Sequence, residues 1–219
     1  MRCLVTGNGS GIGAAISERL FHEGHKVTGT HIWRLFDTER KFDLSEADDI
    51  DFLLDDVKHV LGGIDVLVNN AGVLDEEPLG KLTAGGIERV FRVNVVAPLL
   101  LAQGAVGLGA KCIINIGSMY GITGAYGVKP TYAASKAALH NITLSLARSL
   151  GPSGVRVVGI APGIIPTGIH DSKGGLGKHG TGHSCIGRMG TPDEVARLVM
   201  HSIENEYLTG TILEISGGR

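Results

Sequence analysis

Tyr132 and Lys136 stand four residues apart, so on a helix their side chains share one face. A phenol ordinarily titrates near pH 10 and is a weak acid or base at neutral pH. An ammonium about 4 Å away favours the phenolate by about 4 kcal/mol at an effective dielectric of 20, and half of that already brings the phenol toward a useful general acid or base. The pair suits proton transfer to or from an oxygen. Ser118 follows the apolar run Cys112–Ile116, on the edge where open α/β sheets hold ligands. A hydroxyl there can hydrogen-bond a carbonyl oxygen and steady the alkoxide that develops on it. Asn94 interrupts an apolar helical stretch, Phe91-Arg92-Val93-Asn94, where asparagine is mildly unfavourable and calls for a reason. Each of these has a plainer reading when taken alone: a surface Tyr–Lys pair, a turn serine, a loop asparagine.

A second set of residues suits phosphate. The apolar Cys3–Thr6 runs into Gly7-Asn8-Gly9-Ser10-Gly11-Ile12-Gly13 and then into the helix-like Ala14–Leu20. Glycines between strand and helix let backbone N–H groups approach a phosphate, and the helix N-terminus favours its charge. The spacing of Gly7, Gly11 and Gly13 is Gly-x3-Gly-x-Gly rather than the strict G-x-G-x-x-G, and a tight turn that binds nothing is the competing reading. Asn69-Asn70-Ala71-Gly72 closes the run Val66–Asn69 on the same edge. At the end of the second strand, where a carboxylate would select NAD, the chain has Gly29-Thr30-His31-Ile32-Trp33-Arg34. His31 or Arg34 could meet a 2′-phosphate, which leans the expectation to NADP over NAD.

The elements that must position these groups are short. Candidate strands are Cys3–Thr6, Lys26–Thr30, Lys41–Asp43, Val66–Asn69, Cys112–Ile116, Val155–Ile160 and Thr211–Ile215. Their continuous apolar character fits strands covered on both faces. Helix signals fall between them. Ser45-Glu46-Ala47-Asp48 resembles a capping box opening an acidic helix that stops at Gly62-Gly63, and Thr191-Pro192-Asp193-Glu194 is a better box. An alanine-rich helix spans Thr131 to Leu150, before Gly151-Pro152. Strands alternating with helices imply right-handed βαβ units and a parallel sheet with helices on both sides. The Thr30-to-Lys41 link is too short for a full crossover helix. The Gly168–Gly190 segment, rich in Gly, Lys and His, reads as a substrate lid.

Composition narrows the function classes. At 219 residues the chain makes one domain, 1–219, and 43% hydrophobic with 19% charged residues is globular rather than disordered. A net charge of −2 gives no broad attraction for nucleic acid or anionic lipid, and no uninterrupted apolar run reaches membrane-spanning length. Cys3, Cys112 and Cys185 are too few for a disulfide framework, and no signal peptide precedes the first strand, so the expected location is cytoplasmic. His170, His179, His183 and Cys185 match no familiar tetrahedral spacing, so no metal is expected.

In their order along the chain, Thr6–Gly13, Asp43, Asn69–Gly72, Asn94, Ser118, Tyr132–Lys136, Pro162-Gly163 and Thr167 resemble the short-chain dehydrogenase/reductase family over nearly the whole chain, nearest to its 3-oxoacyl-carrier-protein reductase members. The resemblance implies a single-domain α/β Rossmann fold, doubly wound, with a seven-stranded parallel sheet. It implies an oxidoreductase that interconverts a ketone and a secondary alcohol with NADP or NAD. Tyr132 would be the proton donor and acceptor, Lys136 would lower its pKa and hold the nicotinamide ribose, and Ser118 would orient the substrate oxygen. The Asn94 carbonyl would hold a relay water. Gly7, Ser10, Gly11, Ile12, Gly13 and His31 would face the phosphates and ribose. Asp43 and Leu44, with Asn70, Ala71 and Gly72, would line the adenosine side. Pro162, Gly163, Ile165 and Thr167 would hold the nicotinamide end. The family commonly forms homodimers or homotetramers, so a homo-oligomer, foremost a tetramer, is expected, taking a small carbonyl or alcohol as substrate. The competing reading is a dinucleotide-sensing or scaffold protein of the same fold.

Overall fold

The computed structural model describes residues 1–30, 42–74, 77, 79–125, 129–167 and 184–218. Along the chain run β1 (Arg2–Val5), α1 (Gly11–His22), β2 (Lys26–Gly29), α2 (Ala47–Leu61), β3 (Val66–Asn69), α3 (Ala84–Phe91), α4 (Ala97–Gly107) and β4 (Cys112–Ile116). They are followed by α5 (Tyr120–Thr123), α6 (Pro130–Leu150), β5 (Arg156–Pro162), α7 (Pro192–Glu204) and β6 (Thr211–Ile215). A π-helical turn, Arg92–Val96, joins α3 to α4.

The strands form one parallel sheet in the order β2-β1-β3-β4-β5-β6. Chain order reverses between β1 and β3, and the crevice beyond their carboxyl ends is where such sheets place ligands. Successive strand residues point to opposite faces, which divides the core in two. Cys3, Val5, Val66, Val68, Ile114 and Ile116 pack under α1 and α7, with Ile16, Leu20, Val195 and Val199. Leu4, Leu67, Ile113 and Val157 pack under α2, α4 and α6, with Ile50, Leu53, Leu101 and Ala147. Burial on both faces explains why these strands read as unbroken apolar runs.

Two expectations are corrected. The sheet has six strands among the described residues, not seven. Lys41 lies outside them, and Phe42 and Asp43 are not in the ladder. The Asp43 N–H instead donates to the Asp49 carboxylate of α2 at 2.7 Å, so this donor is spent on a side chain rather than on the edge of β2. Ser45 does not open a capping box either. Its hydroxyl donates back to Asp43 at 2.8 Å, and α2 begins after Glu46 with no side-chain cap. The Thr191 box forms in full, with Thr191 accepting from the Glu194 N–H and Glu194 accepting from the Thr191 N–H.

The continuous helical run Ala84–Gly107 is long and apolar enough, by length and composition, to cross a membrane. Here it carries buried core residues, among them Val90, Ala97, Leu101 and Ala105. Cys3 and Cys112 lie in one row across the sheet, each opposite Val66, and burial pushes their thiols up to about 12 and about 11. Cys185 is exposed.

Candidate active site

A cavity of about 710 Å³ opens over the carboxyl ends of the strands, at the switch between β1 and β3. Its floor at one end is the glycine loop. Gly7 has φ +64°, a conformation that glycine adopts without strain. Gly13 lies so close to the Gly7 carbonyl and the Asn70 amide that a Cβ there would collide with both. The loop is stitched to the sheet from both sides. Its Gly7 N–H donates to the Thr30 hydroxyl at 2.9 Å, and Asn70 Nδ2 donates to the carbonyls of Thr6 and Gly7 at 2.9 and 3.2 Å. The Thr6 hydroxyl accepts from the N–H groups of Asn70 and Ala71.

Ser10 caps α1 without a side-chain hydrogen bond, and no acidic residue stands in the first turn. The helix therefore presents its N-terminal N–H groups and positive dipole end to the cavity with no carboxylate in competition. Across from it, Thr167 lies against Gly11. A cradle built of glycine, lined by backbone and without acid, fits the pyrophosphate of a dinucleotide.

At the other end Ser118, Tyr120, Tyr132 and Lys136 share the wall. The Tyr132 phenol is pushed up to about 12 by burial, while a hydrogen bond with Ser118 pulls the other way. Tyr120 meets Tyr132 edge to face, with ring centroids 6.5 Å apart. Lys136 is 4% exposed, and burial lowers its ammonium to about 8. Its Nζ donates to the Ile116 carbonyl at 2.8 Å and stands 5.8 Å from the Tyr132 ring centroid. In the unliganded site burial is the main influence on the phenol, while the Lys136 ammonium is engaged by the Ile116 carbonyl.

Among the other expected site residues, Gly7, Ser10, Gly11, Ile12, Asp43, Leu44, Asn70, Ala71 and Gly72 line the cavity. So do Pro162, Gly163, Ile165 and Thr167. Asp43 is exposed, and Ser45 N–H and hydroxyl hydrogen bonds hold its carboxyl below the usual range. Gly13 supports the floor from below. His31 falls outside the described residues, as do His170, His179, His183 and most of the expected lid. Of that segment, 184–190 is described, and Ser184 and Cys185 donate to the Gly217 and Gly218 carbonyls.

The Asn94 side chain does not line the cavity. Fully buried in the π-helical turn, it accepts from the Val73 N–H and donates to the Val73 carbonyl, both at 2.9 Å, and donates to the Ser135 hydroxyl at 3.0 Å. Ser135 in turn donates to the Tyr132 carbonyl at 2.7 Å, so Asn94 ties the chain after β3 to the turn of α6 that carries Tyr132. Sequence reasoning missed several wall residues: Thr30, Phe42, Arg89, Tyr120 and Lys129. Lys129 is the residue from which α6 starts, just ahead of Tyr132.

Comparison with known proteins agrees with this geometry. Residues 6–219 match a family model described as enoyl-(acyl carrier protein) reductase. A 3-oxoacyl-(acyl-carrier-protein) reductase of Aquifex aeolicus is 31% identical over 98% of this chain and 95% of its own. The chain belongs to the short-chain dehydrogenase/reductase family. An oxidoreductase of Schizosaccharomyces pombe is 35% identical, covering 98% of this chain and 89% of that one. Among solved members of the family, a short-chain dehydrogenase of Burkholderia cenocepacia in complex with NADP superposes with a TM-score of 0.91 at 33% identity, covering 99% and 96% of the two chains. A 4-hydroxyisoleucine dehydrogenase complexed with NADH gives 0.88 at 26% identity, covering 99% and 97%. This short-chain dehydrogenase/reductase is therefore an oxidoreductase with the single-domain fold of its family.

Proposed function

We propose that this enzyme interconverts a ketone and a secondary alcohol, with NADP or NAD as cofactor and Tyr132 as the general acid and base. The observation that carries the reading is one cavity with two chemically distinct ends: a glycine cradle without acid, and a half-buried phenol paired with Ser118 one turn ahead of a buried lysine. When bound, the nicotinamide supplies or accepts the hydride at the carbon under attack.

The protein's own residues handle the oxygen. Ser118 donates to the carbonyl oxygen and fixes its position. Tyr132, protonated in the unliganded site, gives its phenolic proton to that oxygen in the reductive direction and removes one in the oxidative direction. Lys136 leaves the Ile116 carbonyl to serve the ribose hydroxyls and the phenolate, and its lowered pKa lets it pass a proton outward. Gly7, Ser10, Gly11, Ile12 and Gly13 hold the phosphates, Asp43 and Leu44 the adenine, and Pro162, Gly163, Ile165 and Thr167 the nicotinamide end. β2 ends with the Thr30 hydroxyl turned to Gly7, and no carboxylate stands at that strand end among the described residues, which favours NADP. Ile87, Val96 and Leu99, exposed along α3, the π-helical turn and α4, supply apolar surface for a homo-oligomer.

Consumption of NADPH and NADH is measured against β-keto thioesters, keto-steroids, cyclic ketones and quinones, with Tyr132→Phe alongside. Turnover by the native enzyme that disappears in the variant, with cofactor binding kept, is the expected result. Native turnover in Tyr132→Phe overturns the proton donor, and cofactor binding without turnover on any column favours the dinucleotide-sensing reading.

A further inference from the structure

Behind the wall that carries Ser118 lies an imidazole with no part in the reaction just described. His140 stands one helical turn beyond Lys136 on α6, and 8% of it is exposed. Its ring fills space that two glycines leave open. A Cβ on Gly117 would collide with the ring at Nε2, and one on Gly121 would press on both the α6 backbone at Lys136 and Ala137 and, at 2.9 Å, the ring at Cε1. These glycines flank Ser118 in the chain between β4 and the first turn of α5. Neither has a positive φ, so space rather than backbone freedom is what makes glycine fit there.

The ring also makes a directed contact. The Ser118 N–H donates to His140 Nε2 at 3.4 Å. The rest of this loop is anchored by backbone: Gly117 N–H to the Ile160 carbonyl at 2.7 Å, Met119 N–H to the Pro162 carbonyl at 3.0 Å, and Gly121 N–H to the Ser118 carbonyl at 2.9 Å. The Ser118 hydroxyl oxygen accepts from the Tyr120 N–H at 3.2 Å, so one lone pair is engaged, and the hydroxyl is hydrogen-bonded with the Tyr132 phenol across the cavity wall. Among the described residues, His140 is the side chain that closes the hydrogen bonding of Ser118's own N–H.

We propose that His140 is the positioning residue for Ser118: its neutral imidazole fills the hollow made by Gly117 and Gly121 and accepts the Ser118 N–H, setting where the serine hydroxyl meets the substrate oxygen. The role of Ser118 toward substrate rests on the function proposed above. An acceptor at Nε2 requires the proton to sit on Nδ1. Burial, reinforced by the Lys136 ammonium, lowers His140 to about 4 and keeps it in that neutral form.

The test uses the native enzyme, His140→Leu, which fills the hollow without an acceptor, and His140→Gln, whose amide oxygen reaches the place of Nε2. Nitrogen-15 spectra of histidine-labelled native protein at pH 7 should show His140 as the Nδ1–H tautomer. Loss of one hydrogen bond of ordinary worth should speed hydrogen exchange at the Ser118 amide by about threefold to tenfold in His140→Leu, with recovery in His140→Gln. With NADPH and the acetoacetyl thioester of N-acetylcysteamine, kcat should fall by about the same factor in His140→Leu while KM and NADPH affinity stay near native, again with recovery in His140→Gln. An Nε2–H tautomer, or native Ser118 exchange in His140→Leu, overturns the proposal. So does equal loss of kcat in both variants together with equal falls in melting temperature, which a merely space-filling histidine predicts. Native enzyme that turns over no carbonyl refutes the function instead, and the tautomer and amide exchange still decide the role of His140.

Discussion

Lys136 is an ammonium held out of water with one backbone carbonyl for company, and replacing it by methionine should change how stability depends on pH. Burial lowers its pKa from the ordinary 10.5 to about 8. The unfolded chain therefore binds this proton more tightly than the folded one. Below pH 8 both states are protonated and folding carries the full penalty, about 3 kcal/mol at 1.36 kcal/mol per pKa unit. From pH 8 to 10.5 the folded protein gives up the proton first, and the penalty is progressively relieved. Stability from this group thus rises with pH, by roughly 1 kcal/mol between pH 7 and pH 9. Lys136→Met keeps most of the volume and removes the titration. It also strands the Ile116 carbonyl, at a cost of about 1–3 kcal/mol, so the difference at a single pH has no fixed sign. The change with pH does. Urea unfolding of the unliganded native protein and of Lys136→Met at pH 7 and pH 9 should show the native protein gaining roughly 1 kcal/mol relative to the variant. Tyr132, Cys3 and Cys112 titrate in both proteins and cancel in the comparison. A difference that stays constant over this range would falsify the reasoning that Lys136 is a desolvated charge in the resting enzyme.

Gly13→Ala should push a methyl into the Gly7 carbonyl and the Asn70 amide, lowering stability by about 1–3 kcal/mol and weakening NADPH binding together. Thermal melting and a fluorescence titration with NADPH check this, and native values in both would mean the floor of the cradle is not where we place it. Thr191→Ala removes one half of the capping box on α7 and should cost about 1 kcal/mol in urea unfolding. It should leave the NADPH dissociation constant unchanged, because Thr191 does not line the cavity.

The parts legible from sequence are those whose reasons are local. A strand covered on both faces has to be apolar throughout, so Val66–Asn69 and Cys112–Ile116 could be read directly, and a glycine loop between strand and helix announces itself by composition. Thr191 and Glu194 are three residues apart and satisfy each other, so their box was readable too. Ser45 had the same spacing to an acid, but Asp43, two residues back, took its hydroxyl, a competition that spacing alone does not reveal. Asp43, expected to end an edge strand, is outside the ladder among the described residues, and its N–H goes to a carboxylate of α2, a contact that the strand-like pattern does not reveal. Site residues whose meaning is long-range stayed hidden. Lys136 and Tyr132 are correctly paired by helical spacing, yet the first partner of Lys136 is a carbonyl 20 residues away in β4. His140 acquires significance only because Gly117 and Gly121, 23 and 19 residues earlier, leave it room.

The three cysteines give this protein an internal clock. Cys185 is exposed, whereas Cys3 and Cys112 share one row of the central sheet with no exposed surface to speak of and thiols that resist ionisation. An alkylating reagent reacts with the thiolate, so in the native state it has no route to the inner pair until the sheet opens around β1, β3 and β4. One label per molecule counts intact molecules, and three count those that have opened through the middle. With reagent in enough excess to outpace reclosing, the lag between the first label and the other two reads the lifetime of the folded sheet without any denaturant.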